Sequence, residues 1–146
     1  MIVAAKPRVV DVLLVEDSRG NSKLTLEAIR DYSVETDLNV VHDGAQAMAF
    51  LRHEGAYNQA PRPALILLDL DLPRKAGHEV LAALKDDPVL RRIPVIAFST
   101  AESDLATAYR LHANCYIRKP ENVIQLKAVV RCIEEFWLTT VRLPAG

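Results

Sequence analysis

Residues 65–68 read Leu-Ile-Leu-Leu and are followed by Asp69, and residues 12–15 read Val-Leu-Leu-Val and are followed by Glu16 and Asp17. Both runs are apolar at consecutive positions rather than at alternating ones. A strand has this pattern when both faces of its sheet are covered, which is typical of parallel sheets. The two stretches therefore predict a parallel sheet whose strands end in acidic residues.

Outside these two runs, apolar segments rich in β-branched residues alternate with segments of helical spacing. The predicted strands cover residues 9–15, 38–41, 64–68, 95–98 and 115–117. The predicted helices cover residues 22–32, 44–52, 77–85 and 103–112, with a last helix that begins after residue 122. Strands joined by short helical connections require right-handed crossovers. The sequence predicts an α/β fold, namely a doubly wound, five-stranded parallel sheet in the order 2-1-3-4-5 with five flanking helices.

Two of the predicted helices carry clear start signals. Asp43 is a predicted N-cap, and Asn122 with Gln125 three residues later has the spacing of a capping box. In the fourth predicted helix, Leu105, Ala108 and Leu111 share the face expected to be buried.

The composition indicates one globular domain. The chain has 146 residues, with 18 Lys and Arg against 19 Asp and Glu, so the net charge of -1 gives no indication of nucleic-acid binding. The two cysteines, Cys115 and Cys132, lack the spacing of a metal site or a disulfide framework. No segment is typical of a signal peptide or a membrane span. We therefore expect a cytoplasmic protein without a nucleic-acid or membrane partner.

Reactive side chains follow four of the predicted strands. Glu16 and Asp17 follow the first strand and Asp69 the third, while Ser99 with Thr100 and then Lys119 follow the fourth and fifth. Because the carboxyl ends of parallel strands meet at one edge of the sheet, these groups should lie close together. Clustered carboxylates repel one another unless a cation or a proton compensates.

The predicted cluster suits Mg²⁺, which prefers oxygen ligands. We expect Asp17 and Asp69 to bind it directly, the backbone carbonyl of Asp71 to be a third ligand, and Glu16 to act through water. Lys119 with the Ser99 or Thr100 hydroxyl would then complete a phosphoryl site, with Asp69 as the nucleophile. An alternative interpretation is that Glu16 and Asp17 only cap the first helix.

Four motifs together resemble the receiver domain of two-component response regulators, a flavodoxin-like fold. They are VLLVEDS at 12–18, LILLDLDLPRKAG at 65–77, IPVIAFSTAE at 93–102 and NCYIRKP at 114–120. The resemblance implies that Asp69 is the phosphoacceptor, that Glu16 and Asp17 are the acidic pair for Mg²⁺, and that Lys119 contacts the phosphoryl group. It also implies a histidine kinase as the phosphoryl donor.

The same resemblance implies a switch. Ser99 occupies the place of the hydroxyl residue that moves toward the phosphoryl group, with Thr100 as a rival, and Tyr116 matches the switch aromatic. Pro120 is expected to follow a cis peptide bond. Asp71 departs from the common pattern because it adds a fourth carboxylate at the site.

The end of the chain carries a narrower resemblance. Residues 134–144, EEFWLTTVRLP, together with 111–120, resemble the single-domain regulators paired with bacterial phytochrome histidine kinases. One helical face cannot bury every apolar residue here, so we expect a homodimer contact, with folding back on the domain as the alternative. The expected contact residues are Phe136, Trp137, Leu138, Val141 and Leu143.

These observations divide the chain into an N-terminal extension at 1–8, a receiver domain at 9–137 and a C-terminal extension at 138–146. The expected function is that of a single-domain response regulator that signals by association with an unknown downstream protein rather than by catalysis. Two alternatives stay open. A phosphatase of the haloacid dehalogenase type would use the Asp69 and Asp71 pair, and a binding module would act without phosphorylation.

Overall fold

The computed structural model describes residues 9–30 and 35–144, and it confirms the predicted sheet. All neighbouring strands are parallel, and their order is β2-β1-β3-β4-β5. The strands are β1 Val10–Val15, β2 Thr36–Val41, β3 Leu65–Asp69, β4 Val95–Ser99 and β5 Cys115–Arg118. The extension predicted at 1–8 lies outside the described residues.

In the described residues, four α-helices connect successive strands and a fifth follows β5, as predicted. They are α1 Arg19–Arg30, α2 Gly44–Leu51, α3 Ala76–Asp86, α4 Asp104–Arg110 and α5 Val123–Ile133. Short 3₁₀ turns lie at Gly55–Tyr57, Pro73–Lys75 and Leu90–Arg92. Within the described part of the chain, none of the helices has both the length and the apolar character that crossing a membrane requires.

Both predicted N-caps are confirmed, but the capping box of α5 is only half formed, because the Gln125 side chain accepts from the Glu121 N–H instead of the Asn122 N–H. The Asp43 carboxylate accepts a hydrogen bond from the backbone N–H of Gln46 at 2.7 Å, and the Asn122 side chain accepts one from Gln125 N–H at 2.9 Å. Each bond satisfies a backbone donor that has no partner within the helix.

Two apolar cores cover the two faces of the sheet, which explains the uninterrupted apolar runs. Leu13 and Val15 of β1 belong to the core beneath α2 and α3, here called the first core. Val12 and Leu14 belong to the opposite core, here called the second core, with Ile133 of α5. Successive side chains of one strand therefore enter different cores.

Strands β3 and β4 are each one residue longer at their carboxyl ends than the sequence pattern predicts. Asp69 pairs with Phe98, and Ser99 pairs with Arg118 in the ladder. Backbone pairing continues past the last apolar side chain, so two chemically active residues are held by strands instead of loops.

The predicted buried face of α4 is wrong at Leu105, which is 38% exposed, although Ala108 is buried. Asp104, the first residue of α4, is turned inward by hydrogen bonds to Ser99 and His78. Because adjacent helical residues point about 100° apart, Leu105 faces away.

The chain continues from α5 into a π-helical segment, Glu134–Thr140, which the sequence pattern does not predict. The hydroxyls of Thr139 and Thr140 donate to the carbonyls of Glu134 and Glu135, five residues earlier, at 3.1 and 2.9 Å. These side-chain bonds favour the wider helical turn. The expected boundary between residues 137 and 138 falls inside this segment.

The apolar residues of the C-terminal segment are divided between the domain and the solvent. Trp137, Leu138 and Leu143 pack against the second core, as the folding-back alternative describes. Phe136 is 53% exposed, although its ring meets that of Trp137 edge to face at 5.6 Å. Three of the five expected dimer residues are thus partly used within the chain itself.

Candidate functional site

Glu16, Asp17 and Asp69 meet at the carboxyl edge of the sheet. Because β1 and β3 are neighbours with Val15 opposite Leu68, the residues that follow in each strand also lie side by side. One carboxylate oxygen from each of the three acids lies within 4.8 Å of the other two. Asp69 and Glu16 are buried, while Asp17 is exposed.

The protonation of Glu16 is strongly perturbed. Burial and the nearby charge of Asp69 raise the pKa of Glu16 from 4.5 to about 7. A hydrogen bond of 3.1 Å from Ser18 N–H and the positive charge of Lys119 act in the opposite direction. A buried carboxyl group beside a second one resists ionisation until a cation is near.

The two oxygens of Asp69 have different surroundings. Oδ1 accepts hydrogen bonds from the Lys119 Nζ at 2.9 Å and from the backbone N–H of Asp71 at 2.7 Å. Oδ2 is buried and has no hydrogen-bond partner among the described residues. A buried polar atom without a partner is costly, so Oδ2 is the atom poised for a ligand.

These acids fit a divalent metal ion. Three carboxylates supply only oxygen donors, the raised pKa of Glu16 indicates missing positive charge, and Oδ2 of Asp69 is free to bind. Hard cations such as Mg²⁺ prefer such donors. The side chain of Asp71 is not in this cluster, because its carboxylate is turned toward Ser99 and Thr100.

Lys119 bridges two carboxylates at the end of β5. Its Nζ lies 2.9 Å from Asp69 Oδ1 and 3.3 Å from Asp71 Oδ2, and its backbone N–H donates to the Ser99 carbonyl. Burial disfavours the ammonium, but the hydrogen bond and charge of Asp69 outweigh it and raise the pKa of Lys119. The amine is therefore a fixed positive charge at the site.

The prediction of a cis peptide bond before Pro120 is wrong, because the described chain contains no cis peptide bond. The trans form of an X-Pro bond is intrinsically favoured by about 0.5–1 kcal/mol. Lys119 contacts Asp69 with the trans bond in place.

The Asp71 side chain accepts two hydrogen bonds and forms one ion pair. Its Oδ1 lies 3.0 Å from the Ser99 hydroxyl, and its Oδ2 accepts the Thr100 N–H at 2.9 Å and faces Lys119. Burial opposes its ionisation, but the hydrogen bonds from Thr100 and Ser99 and the charge of Lys119 together lower the pKa of Asp71.

The two candidate switch hydroxyls have different positions. Ser99 is completely buried, and its Oγ lies 2.6 Å from Asp104 Oδ2. Thr100 is exposed and meets Asp71 through both its backbone N–H and its side chain. The structure places the Ser99 hydroxyl in the buried polar cluster next to the acids.

Tyr116 lies on β5 at a distance from the carboxylates. Its ring packs against the first core, and its hydroxyl donates to the carbonyl of Ala101 at 2.9 Å. Ala101 follows Ser99 by two residues, and its N–H donates to the Ser99 Oγ at 2.9 Å. Ser99 and Tyr116 are therefore joined through one residue.

The sequence interpretation missed three residues at this site. A Cβ atom on Gly77 would lie 2.3 Å from the carbonyl oxygen of Asp69, so only glycine lets α3 approach the end of β3. Asp104 and His78 hold each other at 3.0 Å beside Ser99. A glycine near the start of a helix is a sequence signal that could have indicated the close approach at Gly77. No sequence pattern indicates the contact between α3 and α4.

Comparison with known proteins identifies the family and the fold. Residues 12–131 match the family model of the response regulator receiver domain. The chain is 48% identical over 137 residues to the response regulator Rcp1 of Synechocystis sp., covering 92% of this chain and 93% of that protein.

Two solved structures are similar along nearly the whole chain. The Mn²⁺-bound form of Rcp1 has a TM-score of 0.87 and 48% identity, covering 93% of this chain and 99% of that one. The phosphorylated cyanobacterial phytochrome response regulator RcpA has a TM-score of 0.89 and 49% identity, covering 94% and 100%.

The similar solved structures agree with the five-stranded sheet order of this chain. The chain belongs to the family of response regulator receiver domains.

Proposed function

We propose that this protein is a single-domain response regulator whose Asp69 accepts a phosphoryl group from a histidine kinase. The observation that carries the proposal is the buried Oδ2 of Asp69, without a partner among the described residues, beside two acids and Lys119. In the reaction, an oxygen of Asp69 bonds to phosphorus as the phosphorus–nitrogen bond of the phosphohistidine breaks. The nitrogen keeps the electron pair and takes up a proton.

Mg²⁺ is the proposed cofactor. Glu16, Asp17 and Asp69 would hold it, with the backbone carbonyl of Asp71 as a further ligand. When bound, the ion neutralises charge on the phosphoryl oxygens, which is the main task in phosphoryl transfer. Lys119 neutralises the same oxygens from the side of β5. The Mn²⁺-bound form of Rcp1 supports a divalent ion in a related protein.

The phosphoryl group would act as a switch. Its negative charge and acceptor oxygens would draw in the Ser99 hydroxyl, with Thr100 supplying a backbone N–H near by. Movement of Ser99 would disturb Ala101, to which Tyr116 is hydrogen-bonded. The surface of α4, β5 and α5 would then change its affinity for a partner.

A phytochrome is the proposed source of the phosphoryl group. Support comes from RcpA, a cyanobacterial phytochrome response regulator that is 49% identical over nearly the whole chain. The output would be association with an unknown downstream protein in the cytoplasm, without enzymatic turnover and without a nucleic-acid or membrane partner. We also propose a homodimer through the C-terminal segment, supported by the exposed ring of Phe136.

Mass spectrometry tests the phosphoacceptor directly. After incubation with acetyl phosphate and Mg²⁺, the native chain should carry one phosphoryl group that Asp69→Asn lacks. Asp86→Asn removes an exposed aspartate of α3 and should label like the native chain. A native chain that stays unlabelled would contradict the proposal, and turnover of p-nitrophenyl phosphate would favour a phosphatase.

Transfer from phosphorylated kinases tests the phytochrome partner. Phosphorylated phytochrome histidine kinases should lose their phosphoryl group to the native chain faster than histidine kinases with other sensor domains. Equal rates from both classes would overturn the phytochrome pairing while leaving Asp69 as the phosphoacceptor.

A further inference from the structure

We propose that Asp104 is a positioning residue that holds the Ser99 hydroxyl away from Asp69 before phosphorylation, and that His78 fixes Asp104 for this task. The inference rests on the proposed function, because it concerns the switch that follows phosphorylation of Asp69. It assigns a role to two residues of α3 and α4 that lie outside the acidic cluster.

The Ser99 hydroxyl has a single hydrogen to donate and several acceptors within reach. Asp104 Oδ2 lies at 2.6 Å, Asp71 Oδ1 at 3.0 Å and the Ala101 carbonyl at 3.5 Å. A distance of 2.6 Å is typical of a strong hydrogen bond from a hydroxyl to a carboxylate. Asp104 is therefore the main acceptor of this hydrogen, ahead of Asp71.

The acceptor side of Ser99 is also occupied. The backbone N–H of Ala101 donates to the Ser99 Oγ at 2.9 Å. With one hydrogen donated and one accepted in a fully buried position, the hydroxyl is fixed in this orientation.

Asp104 is itself held on both oxygens. Oδ2 accepts from Ser99, and Oδ1 lies 3.0 Å from the His78 Nε2. Both side chains are mostly buried, at 18% and 17% exposure. His78 directly follows Gly77, which is pressed against Asp69, so the imidazole is tied to the strand that carries the phosphoacceptor.

A phosphoryl oxygen and Asp104 would compete for one hydrogen. Ser99 cannot donate to a phosphoryl group on Asp69 and to Asp104 at the same time. The stronger the bond to Asp104, the less readily the hydroxyl turns toward the phosphoryl group. Asp104 therefore sets the balance between the two states of the switch.

Binding of beryllofluoride, a mimic of the phosphoryl group, measures this balance in the full chain with Mg²⁺. By calorimetry, Asp104→Ala should bind it about tenfold more tightly than the native chain, because the strongest of the competing acceptors is gone. Asp104→Asn retains an acceptor oxygen, so it should restore most of the native affinity. Glu102→Ala removes an exposed charge two residues before Asp104. The Glu102 side chain makes no hydrogen bond to Ser99 among the described residues, so this variant should bind like the native chain.

Thermal unfolding of the same variants separates positioning from a structural role. Asp104→Ala should unfold at a lower temperature while binding beryllofluoride more tightly, whereas general damage would weaken both. His78→Ala should tighten binding about threefold, and His78→Gln, which can still donate an N–H, should reverse this. If Asp104→Ala does not fold, the comparison of His78→Ala with His78→Gln tests the role of Asp104.

The outcomes distinguish this inference from the proposed function. A native chain that binds no beryllofluoride and takes up no phosphoryl group overturns the proposed function together with this inference. A native chain that binds, with folded Asp104→Ala and His78→Ala no tighter, overturns the role of Asp104 alone. Equal tightening by Glu102→Ala also overturns it, because charge alone would then explain the effect.

Discussion

Glu16 and Asp17 are consecutive acids that the fold places in different surroundings. Glu16 continues the direction of β1 and is 8% exposed, while Asp17 faces the solvent. Burial and the charge of Asp69 both raise the pKa of the buried Glu16. Two residues that look equivalent in sequence are therefore distinct in their chemistry.

The raised pKa of Glu16 predicts a pH-dependent stability in metal-free protein. Because the pKa is 4.5 in an unfolded chain and about 7 in the fold, the folded state binds this proton more tightly. The contribution of Glu16 is fully present below pH 4.5 and is lost as the pH rises to about 7. We expect Glu16→Gln to remove this slope and to be about 2 kcal/mol more stable than the native chain above that range.

Urea unfolding in the presence of a chelator checks this expectation. Glu54→Gln, at an exposed position, is the matched control and should keep the native pH dependence. If the free energy of unfolding depended on pH in the same way for the native chain and for Glu16→Gln, Glu16 would not be the source of the pH dependence.

Gly77 predicts a second effect at the residue scale. In Gly77→Ala the new methyl group would lie 2.3 Å from the Asp69 carbonyl oxygen and 2.9 Å from the Leu70 Cα, so backbone must move. We expect a loss of about 3 kcal/mol in the free energy of unfolding, together with slower phosphoryl labelling of Asp69.

The matched control is Gly20→Ala in α1, where the nearest atom would be 3.9 Å away. This change should stabilise the protein by up to about 1 kcal/mol through helix propensity. Denaturant unfolding and mass spectrometry measure both variants. A native-like Gly77→Ala would show that α3 does not press on the phosphoacceptor strand.

At the scale of elements, sequence patterns located the strands and the caps because they have strong local causes. The runs at 12–15 and 65–68 are buried on both sides, and Asp43 and Asn122 satisfy helix donors directly. The π-helical turn escaped prediction because it depends on bonds from two threonine hydroxyls to carbonyls five residues earlier. The orientation of α4 escaped because it depends on contacts with β4 and α3. Local propensity holds no information about such contacts.

The end of α4 predicts a stabilising substitution. His112 has a φ of 70°, and the bonds from its N–H to Tyr109 and from Ala113 N–H to Ala108 form a Schellman motif. Glycine adopts this conformation without a steric penalty. His112→Gly should raise the free energy of unfolding by about 1 kcal/mol.

Denaturant unfolding measures this change against Arg110→Gly. Arg110 is the last residue of α4, and glycine there should cost about 1 kcal/mol. If both substitutions destabilised the protein equally, the left-handed cap would not be a source of strain.

At the scale of the whole molecule, the sequence predicted which acids meet because the topology forces it. Once the strands are parallel in this order, the residues after β1 and β3 must be neighbours. The network of Asp104 and His78 could not be predicted in this way, since it joins α3 to α4 across 26 residues. Its geometry depends on how the two helices pack.

The C-terminal segment predicts how the molecule associates. Phe136 is 53% exposed, so Phe136→Glu should change the stability of the monomer by less than about 0.5 kcal/mol. We expect it to weaken a homodimer at least about tenfold, because an apolar contact would receive a charge. Sedimentation velocity over a range of concentrations measures the association.

Val89→Glu is the matched control, because Val89 is 52% exposed and lies before the 3₁₀ turn at Leu90–Arg92. It should associate like the native chain. Leu138→Ala, by contrast, should lower stability by about 2 kcal/mol, since Leu138 packs on the second core. A Phe136→Glu variant that associates like the native chain would argue against a dimer through this surface.

In the π-helical segment Glu134–Thr140, the number of residues decides how wide the helical turn is. A π-turn is equivalent to an α-helix that has gained one residue. Deleting one residue between 134 and 140 would let this segment close as an α-helix, while the extended chain that begins at Val141 would keep nearly the same direction. The extra residue therefore widens one segment of the helix without turning the chain that follows it.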